Sequence, residues 1–348
     1  MAIQHVETPV KRIIGGMFGL EQELSLPNKR PPFLKEGDIC LVNGRSGITI
    51  LVELVSAPHI WMPSYLCSSM LKAVERYSSR VRFYEVGYDL TITSRDWLED
   101  VHQGDLVVLI DYFGFDCDES CAIQAKEKGA FVLEDACQAL LSRNNGQHAD
   151  FVLYSPRKFL GVPDGGILSP VGKMDVQIFE LKAPRPEWWL NTLYATVERR
   201  DFDIYGGSRH WFETYQTLKA TAPIGRYAMS ELTRCLLEHG FDYETIARQR
   251  IDNYRALAER LGSLAIFPML SSCTVPLGFP IRVSDRDKVR QTLFDHEIYP
   301  PVHWPIKNVV PEKFAESHRL AADILTLPCD QRYDTDDMER MAQVVQKG

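Results

Sequence analysis

Between residues 37 and 170 the chain alternates short apolar runs with amphipathic stretches. In DICLVNGRSGITILVEL an apolar run passes through Asn43 and Gly44 into a helix-like apolar pattern. HIWMP precedes SYLCSSMLKAVERY, where Leu66, Met70, Leu71 and Val74 recur at helical spacing. RVRFYEV reads as a strand, SRDWLEDVH as a short helix capped by Ser94, and DLVVLIDYF as a buried strand. DESCAIQAKEKG predicts a helix ending at Gly129, and AFVLED the next strand. DFVLYS and GGILSP add two more. Strand, helix, strand in this order predicts a mostly parallel sheet with crossovers, buried on both faces. The fold class is α/β.

Residues 171–221 carry helical stretches rich in aromatics and arginine, broken at Gly206-Gly207. Two helical segments follow, separated at Gly240, and the tail from about residue 264 alternates strand and helix again. A chain of 348 residues exceeds one minimal core, so one large and one small domain are expected. The division reads as an N-terminal arm (1–35), a large ligand-binding domain (36–240) that carries the aromatic insertion at about 171–221, and a connecting helix with a small C-terminal α+β domain (241–348).

Composition narrows the function. A net charge of −8 favours solubility and argues against an extended nucleic-acid surface. The first residues, MAIQHVETPVKRIIGG, lack the apolar core of a signal peptide, and no window offers the roughly 18 apolar residues that span a bilayer. The eight cysteines are scattered without a C-x-x-C pair and sit largely in apolar runs, which reads as reducing cytoplasm. Nucleotide P-loop, dinucleotide, zinc-protease and serine-hydrolase motifs are absent, and the nine histidines do not fall into ligand spacings. No metal is expected.

In an open parallel sheet, ligands bind at the carboxyl ends of the strands. The polar residues that follow each strand are Asn43 to Gly47, Ser64 and Tyr65, Asp111, Glu134 with Asp135 and Gln138, and Ser155 to Lys158. An acid at one strand end and a lysine after the next suit pyridoxal phosphate. Such a site needs a partly desolvated Schiff-base lysine and an acid paired with the ring nitrogen. The turn Gly44 to Gly47 opens a helix and offers backbone N–H groups to a phosphate. Tyr65 suits stacking on the ring, and the Ser155 hydroxyl suits the phosphate. Each residue alone has a plainer reading. Lys158 is a solvated lysine, Asp135 or Ser46 a helix cap, Tyr65 core, Arg45 and Arg226 salt-bridge partners, and His303 a packed histidine.

Two stretches carry a wider resemblance. DYFGFDCDESCAIQAKEKGAFVLEDACQALL followed by SPRKFLGVPDGGIL resembles the DegT/DnrJ/EryC1/StrS family of pyridoxal-phosphate sugar aminotransferases, which act on nucleotide-linked keto-sugars. NGRSGITIL, WMPSYLCSS, YPPVHWP and ILTLPCDQRYDTDDMERM are similar to its other landmarks, so the resemblance runs from about residue 35 to 345. It implies the large-domain/small-domain aminotransferase fold and a homodimer whose sites are completed by the neighbouring subunit. It implies Lys158 as the Schiff-base lysine and proton shuttle, Asp135 at the ring nitrogen and Gln138 near the ring hydroxyl. Arg45 and Ser46 would lie in the phosphate turn and Tyr65 on the ring. Arg226 would reach a phosphate across the dimer.

The chain departs from that pattern at three places. Leu153 stands where the family carries a phosphate-binding serine, Pro163-Asp164-Gly165-Gly166 replaces Gly-Glu-Gly-Gly, and Arg226-Tyr227-Ala228-Met229 replaces Asn-Tyr-Arg-Met. The leading expectation is transfer of an amino group from glutamate to a keto-sugar. A second reading keeps the cofactor but acts on a non-sugar ketone or as a lyase. A third, motivated by Leu153, is a non-catalytic relative on the same scaffold.

Overall fold

The computed structural model describes residues 13–21, 31–172 and 180–347. In chain order the elements are β1 (Ile14–Gly15), β2 (Ile39–Leu41), α1 (Gly44–Val55), β3 (Ile60–Pro63), α2 (Ser68–Ala73), β4 (Val81–Tyr84), β5 (Leu106–Ile110), α3 (Glu119–Glu127) and β6 (Phe131–Asp135). Then come β7 (Phe151–Tyr154), β8 (Gly166–Pro170), α4 (Pro186–Tyr205), α5 (His210–Thr221), α6 (Glu231–His239) and α7 (Tyr243–Leu261). The last are β9 (Phe279–Arg282), α8 (Arg286–Asp295), β10 (Ile298–Tyr299), α9 (Ala315–Asp323), β11 (Ile324–Leu327) and α10 (Thr335–Lys347).

Seven strands form one sheet in the order β2-β8-β7-β6-β5-β3-β4. The β4, β3, β5, β6 and β7 neighbours are parallel, and β8 runs antiparallel to both β7 and β2. Ile110 pairs with Asp135 and Asp135 with Leu153, so three parallel strands end level with one another. The reversed β8 brings its first residues to the same edge, where Leu41 faces Gly166. A Cβ on Gly166 would lie 2.2 Å from the Asn43 carbonyl carbon, so this close approach of β8 to the start of α1 requires glycine. The double glycine of the sequence is therefore a packing device at the rim of the site.

The apolar residues of the sheet strands form the largest core, with α1 packed on them. Its first turn is fixed by Asn43, whose Oδ1 accepts from Ser46 N at 3.1 Å. A second core joins α7, the antiparallel β9–β11 pair, α8 and α10 around Tyr254, Phe279 and Met338. Ile14 enters that core through the parallel β1–β10 pair.

Three local expectations change. The apolar spacing predicts one helix across SYLCSSMLKAVERY, but α2 spans six residues and a 3-10 turn, Glu75–Arg80, follows. Ser64 at its start is held instead by tertiary bonds, its Oγ accepting from Val86 N and lying 2.7 Å from Ser317 Oγ. SRDWLEDVH is a 3-10 helix, with Ser94 Oγ accepting from Asp96 N at 3.0 Å. The polar α9 carries no apolar stripe beyond Leu320 and was not foreseen from the pattern. No described helix is long and apolar enough to cross a membrane.

Candidate functional site

A cavity of ≈ 560 Å³ opens at the edge where β5, β6 and β7 end and α1 begins, a size suited to a small-molecule ligand. Lys158, Asp135, Gln138, Ser155, Gly44 and Arg45 all line it. Five polar side chains and the Gly44 backbone, from three separate stretches of chain, therefore meet in one place.

Lys158 ends a short 3-10 turn, Pro156–Lys158, that follows β7 directly. Its N–H donates to the Ser155 carbonyl at 3.1 Å. Ser155, Pro156, Phe159 and Leu160 around it are buried, whereas Lys158 is exposed. The expectation of a partly desolvated lysine is thus corrected: the turn is buried and its lysine opens onto the cavity. The turn is held from behind by Arg250 of α7, which is fully buried. Arg250 donates from Nη2 to the Phe159 carbonyl at 3.4 Å and from Nη1 to Pro276 and Leu277 carbonyls at 3.1 and 3.2 Å. Its Nε donates to Gln331 Oε1 at 2.8 Å, and Gln331 Nε2 donates to the same Phe159 carbonyl at 2.7 Å. Burial pushes the Arg250 guanidinium down to about 10.

Asp135 is the last residue of β6 and is buried. Its Oδ1 accepts from Cys137 N at 3.0 Å, forming a local turn, and no helix begins there. The helix-cap reading of Asp135 is therefore replaced by a turn at a strand end. Gln138 is 1% exposed, and its Oε1 accepts from Phe113 N at 2.7 Å. Its Nε2 is buried without a hydrogen-bond partner, so a ligand acceptor at the cavity wall would satisfy it.

At the start of α1, Gly44 and Arg45 face Arg157 and Ser155 across the cavity wall. Burial, and then the like charge of Arg157, lower the Arg45 pKa. Two guanidinium groups and a helix N-terminus are the chemistry that suits an anion. Leu153 lines the same wall and packs where glycine leaves space, since a Cβ on Gly47 would meet its Cδ1 at 2.5 Å. Arg157 was not singled out from the sequence, although it lies between Pro156 and Lys158.

Three expected residues lie elsewhere. Ser46 is fully buried off the cavity, its Oγ donating to Asn43 Oδ1 at 3.4 Å and accepting from Gly225 N at 3.2 Å. Tyr65 is also fully buried, its ring 6.0 Å from Tyr112 and 5.6 Å from Trp304. The cavity is lined from this segment by Cys67, Ser69 and Met70, with Ser69 Oγ donating to the Cys67 sulfur at 3.1 Å. Arg226 stands outside the cavity of its own chain and pairs with Glu53 at 3.4 Å.

His303 does line the cavity, with Nδ1 2.9 Å from Thr326 Oγ1. Burial, then Lys158 and Lys219, push its pKa down to about 3, so the ring is neutral. The described N-terminal stretch also reaches the cavity through Met17 and Phe18, tied by Arg199 and Arg332 to the Met17 carbonyl at 2.8 and 2.9 Å. Neither contribution follows from spacing along the chain.

Asp111, one strand from Asp135, turns into the protein instead. Its Oδ1 accepts from Cys117 N at 2.9 Å beside Glu134, whose two oxygens accept from Gly146 N at 2.9 and 3.0 Å. Burial, then Glu134, hold the Asp111 pKa well above the usual carboxylate range. Burial and the neighbouring carboxylate both favour the protonated form of Asp111.

No protein-family model matches the chain, and no curated protein matches it in sequence. Solved structures do share its fold. A DegT DnrJ EryC1 StrS aminotransferase from Brucella abortus is 16% identical, with 90% of this chain and 86% of that one covered at a TM-score of 0.64. NtdA from Bacillus subtilis with bound cofactor PMP is 16% identical over 89% of this chain and 73% of that one, at 0.63. The sugar aminotransferase CalS13 from Micromonospora echinospora is 14% identical over 89% and 87%, at 0.61. The chain has the aminotransferase fold that the sequence led us to expect.

Proposed function

We propose that the chain is a pyridoxal-phosphate-dependent aminotransferase that moves an amino group from glutamate to a nucleotide-linked keto-sugar. One observation carries the reading: Lys158, Asp135 and the unpartnered Gln138 amide meet in one cavity, beside a helix start flanked by Arg45 and Arg157. The residues fit the cofactor. Two close guanidinium groups call for an anion such as its phosphate, and the orphaned Gln138 Nε2 calls for an acceptor such as its ring oxygen.

When bound, pyridoxal phosphate supplies an aldehyde that condenses with amines and a ring that withdraws electrons from the adjoining carbon. Lys158 is the amine that anchors it, and its Nζ then holds and moves the proton at the amino donor's carbon. Asp135 accepts from the ring nitrogen and keeps it protonated. Arg45, Arg157, Ser155 and the backbone N–H groups that open α1 bind the phosphate. This arrangement uses Ser155 and Arg157 where the family has a serine at the position of Leu153. Cys67, rather than Tyr65, lines the cavity that would take the ring. Neutral His303 adds no charge beside the lysine.

The cavity also collects Arg209, Lys219 and Arg290 in a chain whose net charge is −8, which supports an anionic acceptor. The large exposed apolar side chains Leu190, Tyr194, Ile204 and Tyr205 on α4 support a homodimer in which Arg226 serves the neighbouring site.

The test is the visible absorption of protein loaded with pyridoxal phosphate, before and after glutamate, with Lys158→Ala beside it. A band that glutamate removes and that the variant lacks or alters is expected, with ping-pong kinetics toward a keto-sugar. A band that persists with every amino donor would overturn the transferase assignment, and absence of any band would overturn the cofactor.

A further inference from the structure

The helical hairpin α4–α5 forms a wall of the cavity, and its cations have no role in holding the cofactor as described above. On α5, Phe212, Tyr215, Gln216 and Lys219 recur at helical spacing and line the cavity, with Arg209 immediately before the helix. The Lys219 end lies near the reaction centre, because Lys219 and Lys158 both act on His303. Ten residues of helix at 1.5 Å each place Arg209 about 15 Å further along.

At that distant end Arg209 sits with its guanidinium carbon 3.9 Å from the centre of the Tyr299 ring. Tyr299 is 5.2 Å from Phe294, and Arg290 lies over Phe294 at 4.7 Å. Two arginines thus stack on a neighbouring pair of rings across three separate elements. Among the described residues neither arginine makes an ion pair, and Arg209 Nε is buried without a hydrogen-bond partner. Arg290 Nε donates to the Pro300 carbonyl at 3.4 Å. The acid in its field, Asp287, is paired with Arg286 at 2.9 Å. Gathering such cations without a counterion is unfavourable unless a ligand supplies the negative charge.

We infer that Arg209 and Arg290 are specificity residues that hold a phosphate group of the acceptor, a second anion subsite separate from the one at α1. The inference rests on the proposed aminotransferase reading for its meaning. Its test does not depend on turnover.

Inorganic pyrophosphate is titrated calorimetrically into protein already loaded with pyridoxal phosphate, across a salt series, with Arg209→Gln, Arg290→Gln, Arg209→Lys and Arg290→Lys beside wild type. The cofactor band is read in every sample, so loss of the α1 site is seen separately. Tenfold weaker binding in each glutamine variant is expected, with a shallower salt dependence, an unchanged band and partial recovery in Arg290→Lys. Binding within twofold of wild type in both glutamine variants, no binding by wild type, or tighter binding of succinate than of pyrophosphate would each overturn the assignment. Should no band form at all, the cofactor reading falls, and the same titration on unloaded protein with the same variants still decides the subsite.

Discussion

The two walls of the cavity are built by different means. The wall that carries Lys158, Asp135 and Gln138 is made of strand ends from one sheet, held level by backbone register. The opposite wall, with Arg209, Tyr215 and Lys219, is the face of a helical hairpin whose side chains meet partners such as Tyr299, ninety positions away in sequence. A sheet fixes positions to the tolerance that group transfer requires, and a hairpin on the rim varies without disturbing it. The difference separates a wall suited to chemistry from a wall suited to choosing the substrate. If it holds, substitutions in the first wall alter the cofactor, and substitutions in the second alter binding of the acceptor alone.

The largest expected effect is that of Lys158→Ala, which should lower turnover by about three orders of magnitude or more while the protein stays folded, since Lys158 is exposed. Retained turnover would break the distinction at its root. Next is Arg250→Met. It removes donors from three carbonyls, two of them buried, and from Gln331, and should cost about 3 kcal/mol in a urea unfolding curve. Because Arg250 ties the lysine turn to the second core, cofactor affinity should fall in the same variant. An unchanged unfolding midpoint would show that the turn does not need this support.

Much of the strand-end wall was legible because its signals are local. Apolar runs ending in Asp, Ser or Gly mark strand ends, and a parallel order brings those ends to one edge. What failed was direction. Tyr65 and Ser46 follow the expected elements closely yet turn into the core, because each finds tertiary neighbours there: Tyr112 and Trp304 for one, Asn43 and the Gly225 N–H for the other. Near a strand end, a one-residue step moves a side chain from cavity to core, and no pattern of hydrophobicity resolves that step. Cys67, a residue with no chemical flag, lines the cavity where Tyr65 does not. The hairpin wall was recognisable as helical and aromatic, but its partners Phe294 and Tyr299 belong to elements brought together only by the complete fold.

A smaller effect sharpens the role of the strand-end wall. Gln138→Glu keeps an acceptor for Phe113 N and replaces the unpartnered NH2 donor with a carboxylate oxygen. If that donor serves the cofactor, affinity for pyridoxal phosphate should drop about tenfold, or roughly 1.4 kcal/mol. Equal affinity in an equilibrium dialysis measurement would assign the amide to structure alone.

The smallest expected effect compares two acids on adjacent strands of the same wall. Asp135 faces the cavity, whereas Asp111 is buried beside Glu134 with its pKa raised. A raised carboxyl pKa means that the folded state keeps a proton the unfolded chain gives up. The contribution of Asp111 to stability is therefore fully present below the ordinary aspartate range and is lost as pH rises through its folded value. Asp111→Asn cannot ionise, yet its side-chain oxygen still accepts from Cys117 N. Relative to wild type, the variant's thermal midpoint should rise progressively as pH increases from about 4 upward, following the sign of that linkage. The cofactor band should stay where it is, because this acid turns away from the cavity. A midpoint difference independent of pH would mean that Asp111 and Glu134 share no proton. A displaced band would mean that the interior of the sheet and its ligand face are coupled after all.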